Sequence, residues 1–95
     1  MKNRYLKELI KTVLSIKKSK ELENFFEGIF TPQELLEIPV RLEIVKLLKK
    51  KTPQHTIAKK LGVGVATVTR GSRELKMGKF KYILNNSWQS SQSGG

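Results

Sequence analysis

The chain has no cysteine, no aspartate, one histidine and three prolines. Each shortage closes off some chemistry. Without cysteine there is no disulfide, no thiolate zinc site and no thiol nucleophile. A lone His55, with neither cysteine nor aspartate to join it, makes a poor metal site. No Gly-rich phosphate loop and no nucleophile–base pair stands at a catalytic spacing, which argues against an enzyme and against a resident cofactor. Aromatic residues are 7% of the chain. No apolar run approaches the ~20 residues that a membrane span requires. Met1 to Lys11 lacks the unbroken apolar stretch of a secretory leader, so a cytoplasmic protein with no membrane partner is expected.

Positive charge, by contrast, is abundant. Nineteen Lys/Arg against eight acidic residues give a net charge of +11 over 95 residues. Such a chain repels itself and attracts polyanions, with nucleic acid the first candidate and an anionic membrane the second. The charge is uneven. Residues 1–51 carry twelve Lys/Arg against seven Glu, whereas residues 52–95 carry seven against Glu74 alone. An electrostatic footprint on DNA is therefore expected in the second half. The 95 residues amount to one domain's worth of chain, and hydrophobic content is 38%. Sharing apolar surface with a second copy would make up for so modest a core.

Helical periodicity runs through the sequence, and no credible strand pattern interrupts it. Leu6, Leu9, Ile10, Val13 and Leu14 predict a helix over about Asn3–Lys17. Ser19 is placed to cap a second helix, with Leu22, Phe25, Phe26 and Ile29 on its apolar side and an end near Gly28–Phe30. Thr31-Pro32-Gln33-Glu34 predicts a capping box at the start of a third helix, in which Pro39 predicts a kink or restart. That helix ends in Lys49-Lys50-Lys51, cations at the negative end of its dipole. Thr52-Pro53 repeats the cap-plus-proline signal, and a short helix to about Lys60 follows. Gly62 suits a left-handed turn before a helix from Gly64 or Val65 to Lys76. Gly78 breaks it. Residues 1–51 thus read as dimerisation helices, 52–77 as a helix-turn-helix, 78–84 as a short C-terminal helix, and the polar, Ser- and Gln-rich 85–95 as a tail without packed structure.

The span from Gln54 to Arg73 carries the most information. A helix-turn-helix crosses two short helices through a tight turn, and this dictates residue types. A small residue must lie where the helices cross (Ala58), and a glycine must stand in the turn four residues later (Gly62). Apolar plugs must face inward, and Ile57, Leu61, Val63 and Val68 fill those places. The outward set is then Gln54, His55, Lys59, Gly64, Val65, Ala66, Thr67, Thr69, Arg70, Arg73 and Lys76. An α-helix fits the major groove and offers its N-terminal side chains to base edges. Val65 and Ala66 suit thymine methyl groups, and Thr69 offers both a hydroxyl and a methyl. Gln54 and His55 suit phosphates or an outlying base, while Lys59, Lys60, Arg73 and Lys76 suit phosphates. Because these recognition side chains are small, specificity is expected to lean on water bridges and DNA shape.

The run Leu61-Gly62-Val63-Gly64-Val65-Ala66-Thr67-Val68-Thr69-Arg70-Gly71-Ser72 resembles the recognition segment of the Trp repressor family. Phe30-Thr31-Pro32-Gln33-Glu34 and Arg41-Leu42-Glu43-Ile44-Val45 also match it, and the Phe25-Phe26 segment is similar to YerC/YecD-type relatives. The resemblance covers about residues 22–76. It implies an all-α fold: a small, intertwined homodimer with a helix-turn-helix reading head, acting as a repressor on palindromic operators. It further implies L-tryptophan, or a similar amino acid, as co-repressor. Arg41 and Arg70 would flank the indole, Thr31 and Arg70 would hold the carboxylate, and Gly71 would leave room for the ring. Glu74 stands where the repressor members carry a small hydroxyl residue, and would meet the ligand's ammonium group. Two alternatives fit the same residues: a regulator with no effector, and a basic module that docks protein or RNA and keeps the motif as scaffold.

Overall fold

A computed structural model describes residues 2–83; the expectations for Leu84 and for the tail from Asn85 onward fall outside that range. Among the described residues there are five helices and no strand. They are α1 (Lys2–Ser15), α2 (Ser19–Ile29), α3 (Pro32–Lys49), α4 (Gln54–Leu61) and α5 (Val65–Lys76). The chain divides into two compact units between Leu36 and Glu37, within α3. The sequence reading drew its functional line later, after Lys51.

Among the described side chains of α1 and α2 in the first unit, none is buried. Tyr5, Leu6, Ile10 and Leu14 of α1 are all exposed, as is Ile29 of α2. Phe26 stacks on Phe30 with ring centroids 5.3 Å apart. The start of α3 is a reciprocal capping box. Glu34 N–H donates to Thr31 Oγ1 at 3.1 Å, and Thr31 N–H donates to Glu34 Oε1 at 2.9 Å. Two donors that the first turn leaves without helical partners are thereby satisfied.

The expected restart at Pro39 does not occur, since the helix continues through it to Lys49. A proline here removes one backbone bond. Pro39 itself is exposed, and the following turns are held by the burial of Ile44, Val45 and Leu47. Two expected caps are also corrected. Ser19 is the first residue of α2 rather than its cap; the extended Lys18 precedes it, and Lys18 O accepts from Leu22 N at 3.0 Å. Pro53, not Thr52, precedes α4. Thr52 N–H instead donates back to Leu47 O at 3.1 Å, so it belongs to the end of α3.

In the second unit the core is Ile44 and Leu47 from α3, Ile57 and Ala58 from α4, and Val68 from α5. Val40, Leu48, Leu61 and Val63 pack around it. Ile57 and Val68 are both 0% exposed. Burial of each such side chain contributes about 1.5–3 kcal/mol.

Helices α3, α4 and α5 end the same way, with a left-handed residue followed by a backbone bond reaching five residues back. The left-handed residues are Lys51, Gly62 and Gly78, at φ 69°, 69° and 85°. The reaching bonds are Thr52 N to Leu47 O, Val63 N to Ala58 O at 3.0 Å, and Lys79 N to Glu74 O at 3.4 Å. Gly62 and Gly78 adopt this conformation without a Cβ clash, whereas Lys51 does not. Past Gly78, residues 79–82 form turns in place of the expected short helix.

Two substitutions should therefore move stability in opposite directions. Gly62→Ala should lower it by ~1–2 kcal/mol, and Lys51→Gly should raise it by up to ~1 kcal/mol. Urea unfolding at one fixed protein concentration reads both, and a gain from Gly62→Ala would contradict the turn geometry.

Candidate nucleic-acid interface

Helix α4 presents Ala58 to the neighbouring helix, and Ala58 is buried. After Leu61 the left-handed Gly62 turns the chain, and Val63 folds back onto the core. Gly64 is extended, and its carbonyl accepts from Thr67 N at 3.1 Å, closing the first turn of α5. Val68 is then the residue of α5 that faces fully inward.

This orientation decides which side chains face out. Val65 is 52% exposed. Ala66, Thr67, Arg70, Arg73 and Lys76 are exposed, as are Gly64 before the helix and His55, Lys59 and Lys60 on α4. Gln54 and Thr69 are half-buried, because Thr69 Oγ1 donates to Gln54 Oε1 at 2.8 Å. The first turn of α5 holds no acidic residue. No carboxylate therefore offsets the positive end of its dipole.

A cleft of about 480 Å³ lies between the second half of α3 and α5. Arg41, Arg70, Gly71 and Glu74 all line it, with Thr67, Phe80 and the apolar Ile38, Leu42, Ile44 and Val45. Thr31 belongs to the other unit, where its hydroxyl caps α3. Arg41 Nη2 lies 3.7 Å from Glu37 Oε1, one turn earlier on α3.

Gly71 lines the cleft and also packs against α3. A Cβ there would come 3.1 Å from Ile44 Cγ2 and 3.5 Å from Leu48 Cδ1. The space beside it is thus already taken by α3, and the missing side chain lets α5 approach that helix closely. Glu74 is also engaged, 2.7 Å from Lys79 Nζ. Its carboxyl is held below the ordinary value, first by the hydrogen bond from Lys79, then by the positive charges of Lys79, Arg70 and Arg73. Partial desolvation opposes these without reversing them.

Two contacts carry no signal in the sequence. Phe80 lines the cleft, and Lys49 Nζ donates to Phe80 O at 2.9 Å and also to Ile83 O. Gly78 signalled only that α5 stops, not that the chain then returns to the end of α3.

Against known families, the model described as Trp repressor protein matches residues 4–87. The chain belongs to the Trp repressor family. That is a family of transcriptional regulators and not of enzymes. Among its relatives is a Trp operon repressor homolog of Vibrio vulnificus (strain YJ016), 38% identical over 79 residues, covering 80% of this chain and 78% of the relative. Another, from Actinobacillus succinogenes, is 44% identical over 64 residues, with 66% and 62% covered. The uncharacterized protein YerC of Bacillus subtilis is 29% identical over 84 residues, with 88% and 81% covered. No solved structure matches. The five-helix, strand-free architecture of the described residues fits the Trp repressor family.

The Glu74–Lys79 pair sets a pH dependence. A carboxyl whose folded value is depressed contributes stability above its unfolded value, and that contribution is lost as pH falls through the folded value. The melting temperature of the native chain should exceed that of Glu74→Gln at neutral pH. The gap should shrink on acidification below the ordinary carboxylate range. A gap that is constant with pH in thermal scans would contradict the pairing.

Proposed function

We propose that this member of the Trp repressor family binds operator DNA as a homodimer in the cytoplasm and represses transcription. In this reading the N-terminal half of α5 enters the major groove. Val65 and Ala66 meet thymine methyls, and Thr67 and Thr69 lie at the groove wall. Gly64, at the N-terminal end of α5, brings backbone close to the duplex. Gln54, His55, Lys59, Arg70, Arg73 and Lys76 supply phosphate or edge contacts. One observation carries the reading. Val68 is completely buried while Val65, Ala66, Thr67 and Arg70 around it are exposed, so α5 offers a face of small side chains flanked by cations.

The homodimer is supported by the exposed apolar residues Tyr5, Leu6, Ile10 and Leu14 on α1. A contiguous apolar face of this kind marks an interaction site. Two-fold pairing would set two reading heads one DNA turn apart, matching a palindromic operator. No helix among the described residues is long and apolar enough to cross a membrane.

The cleft between α3 and α5 is the proposed effector site, with L-tryptophan or a similar amino acid as co-repressor. Guanidinium groups of Arg41 and Arg70 suit an aromatic ring and a carboxylate. Thr31 joins them in the family-based reading. A second reading, regulation without an effector, is favoured by a specific observation: Phe80 already lines the cleft and Lys79 already holds Glu74.

Titration of a labelled duplex at several salt concentrations tests the DNA reading. Log affinity should fall linearly with log salt, and Lys59→Ala or Lys76→Ala should each reduce the slope by about 1. Affinity with no preference above the nonspecific level would favour the protein- or RNA-docking module. Millimolar L-tryptophan should raise the melting temperature if it binds the folded state, and no shift would leave regulation without that effector.

A further inference from the structure

Gln54 is the first residue of α4, and Thr69 lies on α5 one helical turn after Val65. The bond from Thr69 Oγ1 to Gln54 Oε1 joins these two helices at the edge of the outward face. Its donor–acceptor arithmetic has a consequence. A threonine hydroxyl has one proton, and here Gln54 receives it. Thr69 can then offer the outside only oxygen lone pairs. The Gln54 amide oxygen is occupied, so its NH2 group, with two donors, is directed away from Thr69. Beside exposed Val65 and Ala66, the pair therefore presents an amide donor next to a hydroxyl acceptor.

We infer that Gln54 and Thr69 act as one recognition unit on DNA. Gln54 donates from its amide NH2 to an acceptor on the duplex, either a purine edge atom or a phosphate oxygen. Thr69 is the positioning residue that holds the Gln54 side chain in place, its hydroxyl donating to the amide oxygen. The inference rests on the DNA-binding reading above and extends it. A free glutamine side chain has many rotamers and an amide that can turn either way. Ordering it only upon binding would weaken the complex. The bond to Thr69 does that ordering in the unbound protein.

A bond that merely stapled α4 to α5 would affect folding and leave DNA preference alone. The test therefore reads affinity, sequence preference and melting temperature together, on the full chain. A duplex is selected from a random pool by the native protein. Gln54→Ala, Thr69→Val, Thr69→Ser and the double variant of Gln54→Ala with Thr69→Val are then titrated on it and used to repeat the selection. Gln54→Ala and Thr69→Val should each weaken binding ~5-fold or more, about the worth of one hydrogen bond. The double variant should bind no more weakly than the worse single one, because the two residues serve one contact. Thr69→Ser keeps the hydroxyl and should bind more tightly than Thr69→Val. Melting temperatures report separately what the bond contributes to joining α4 and α5. If the acceptor is a base edge, the selected sequence loosens at one position per half-site. If it is a phosphate, affinity falls equally on all duplexes. Native-like binding by Thr69→Val, or losses that simply add in the double variant, would overturn the inference alone. A native chain that selects no duplex would overturn the DNA-binding reading and this unit with it.

Discussion

The arrangement hangs on how closely α4 and α5 approach each other. Ile57 and Val68 meet in a core from which solvent is excluded, and Ala58 is small enough to let the second helix cross. The left-handed Gly62 turns the chain within the few residues available. With Val68 fixed inward, helical geometry leaves Val65, Ala66, Thr67 and Arg70 outside. The exposed face of α5 is thus a consequence of one buried valine. Gly71 repeats the logic one turn later, where the lack of a side chain brings α5 against Ile44 and Leu48 of α3. Loss of either close approach would let α5 rotate or lift, and its outward residues would change together.

The two units solve the burial problem differently. The second has a small core drawn from three helices. In the first, none of the described side chains of α1 and α2 is buried, although both helices carry apolar residues at helical spacing. The proposed homodimer would cover that apolar surface.

Much of the site could be read from the sequence because its causes are local. Ala58, Gly62 and Val68 follow from the packing demands of a helix-turn-helix, and the Thr31–Glu34 box needs only three residues' separation. What was missed or misplaced depends on distant partners. Nothing near Lys51 marks it as left-handed; the end of α3 imposes that conformation. Thr52 looked like a cap but answers Leu47 instead. Pro39 looked like a break, yet the buried residues beyond it carry the helix through. Lys49 and Phe80 are 31 positions apart, and no spacing rule joins them. The close approach of Gly71 to Ile44 and Leu48 of α3 is likewise a contact between distant positions that no local pattern marks. The family resemblance reached the right fold, but it could not show that this chain's own Phe80 lines the cleft or that Lys79 pairs with Glu74.

The absence of native cysteine allows a direct test of which face meets DNA. Ala66→Cys and, as reference, Glu23→Cys each give the chain a single thiol, one on the outward face of α5 and one on exposed α2. The rate of thiol labelling is measured for both with and without saturating duplex. The account predicts that DNA strongly slows labelling at position 66 and leaves position 23 unchanged. Equal rates at position 66 with and without bound duplex would contradict it.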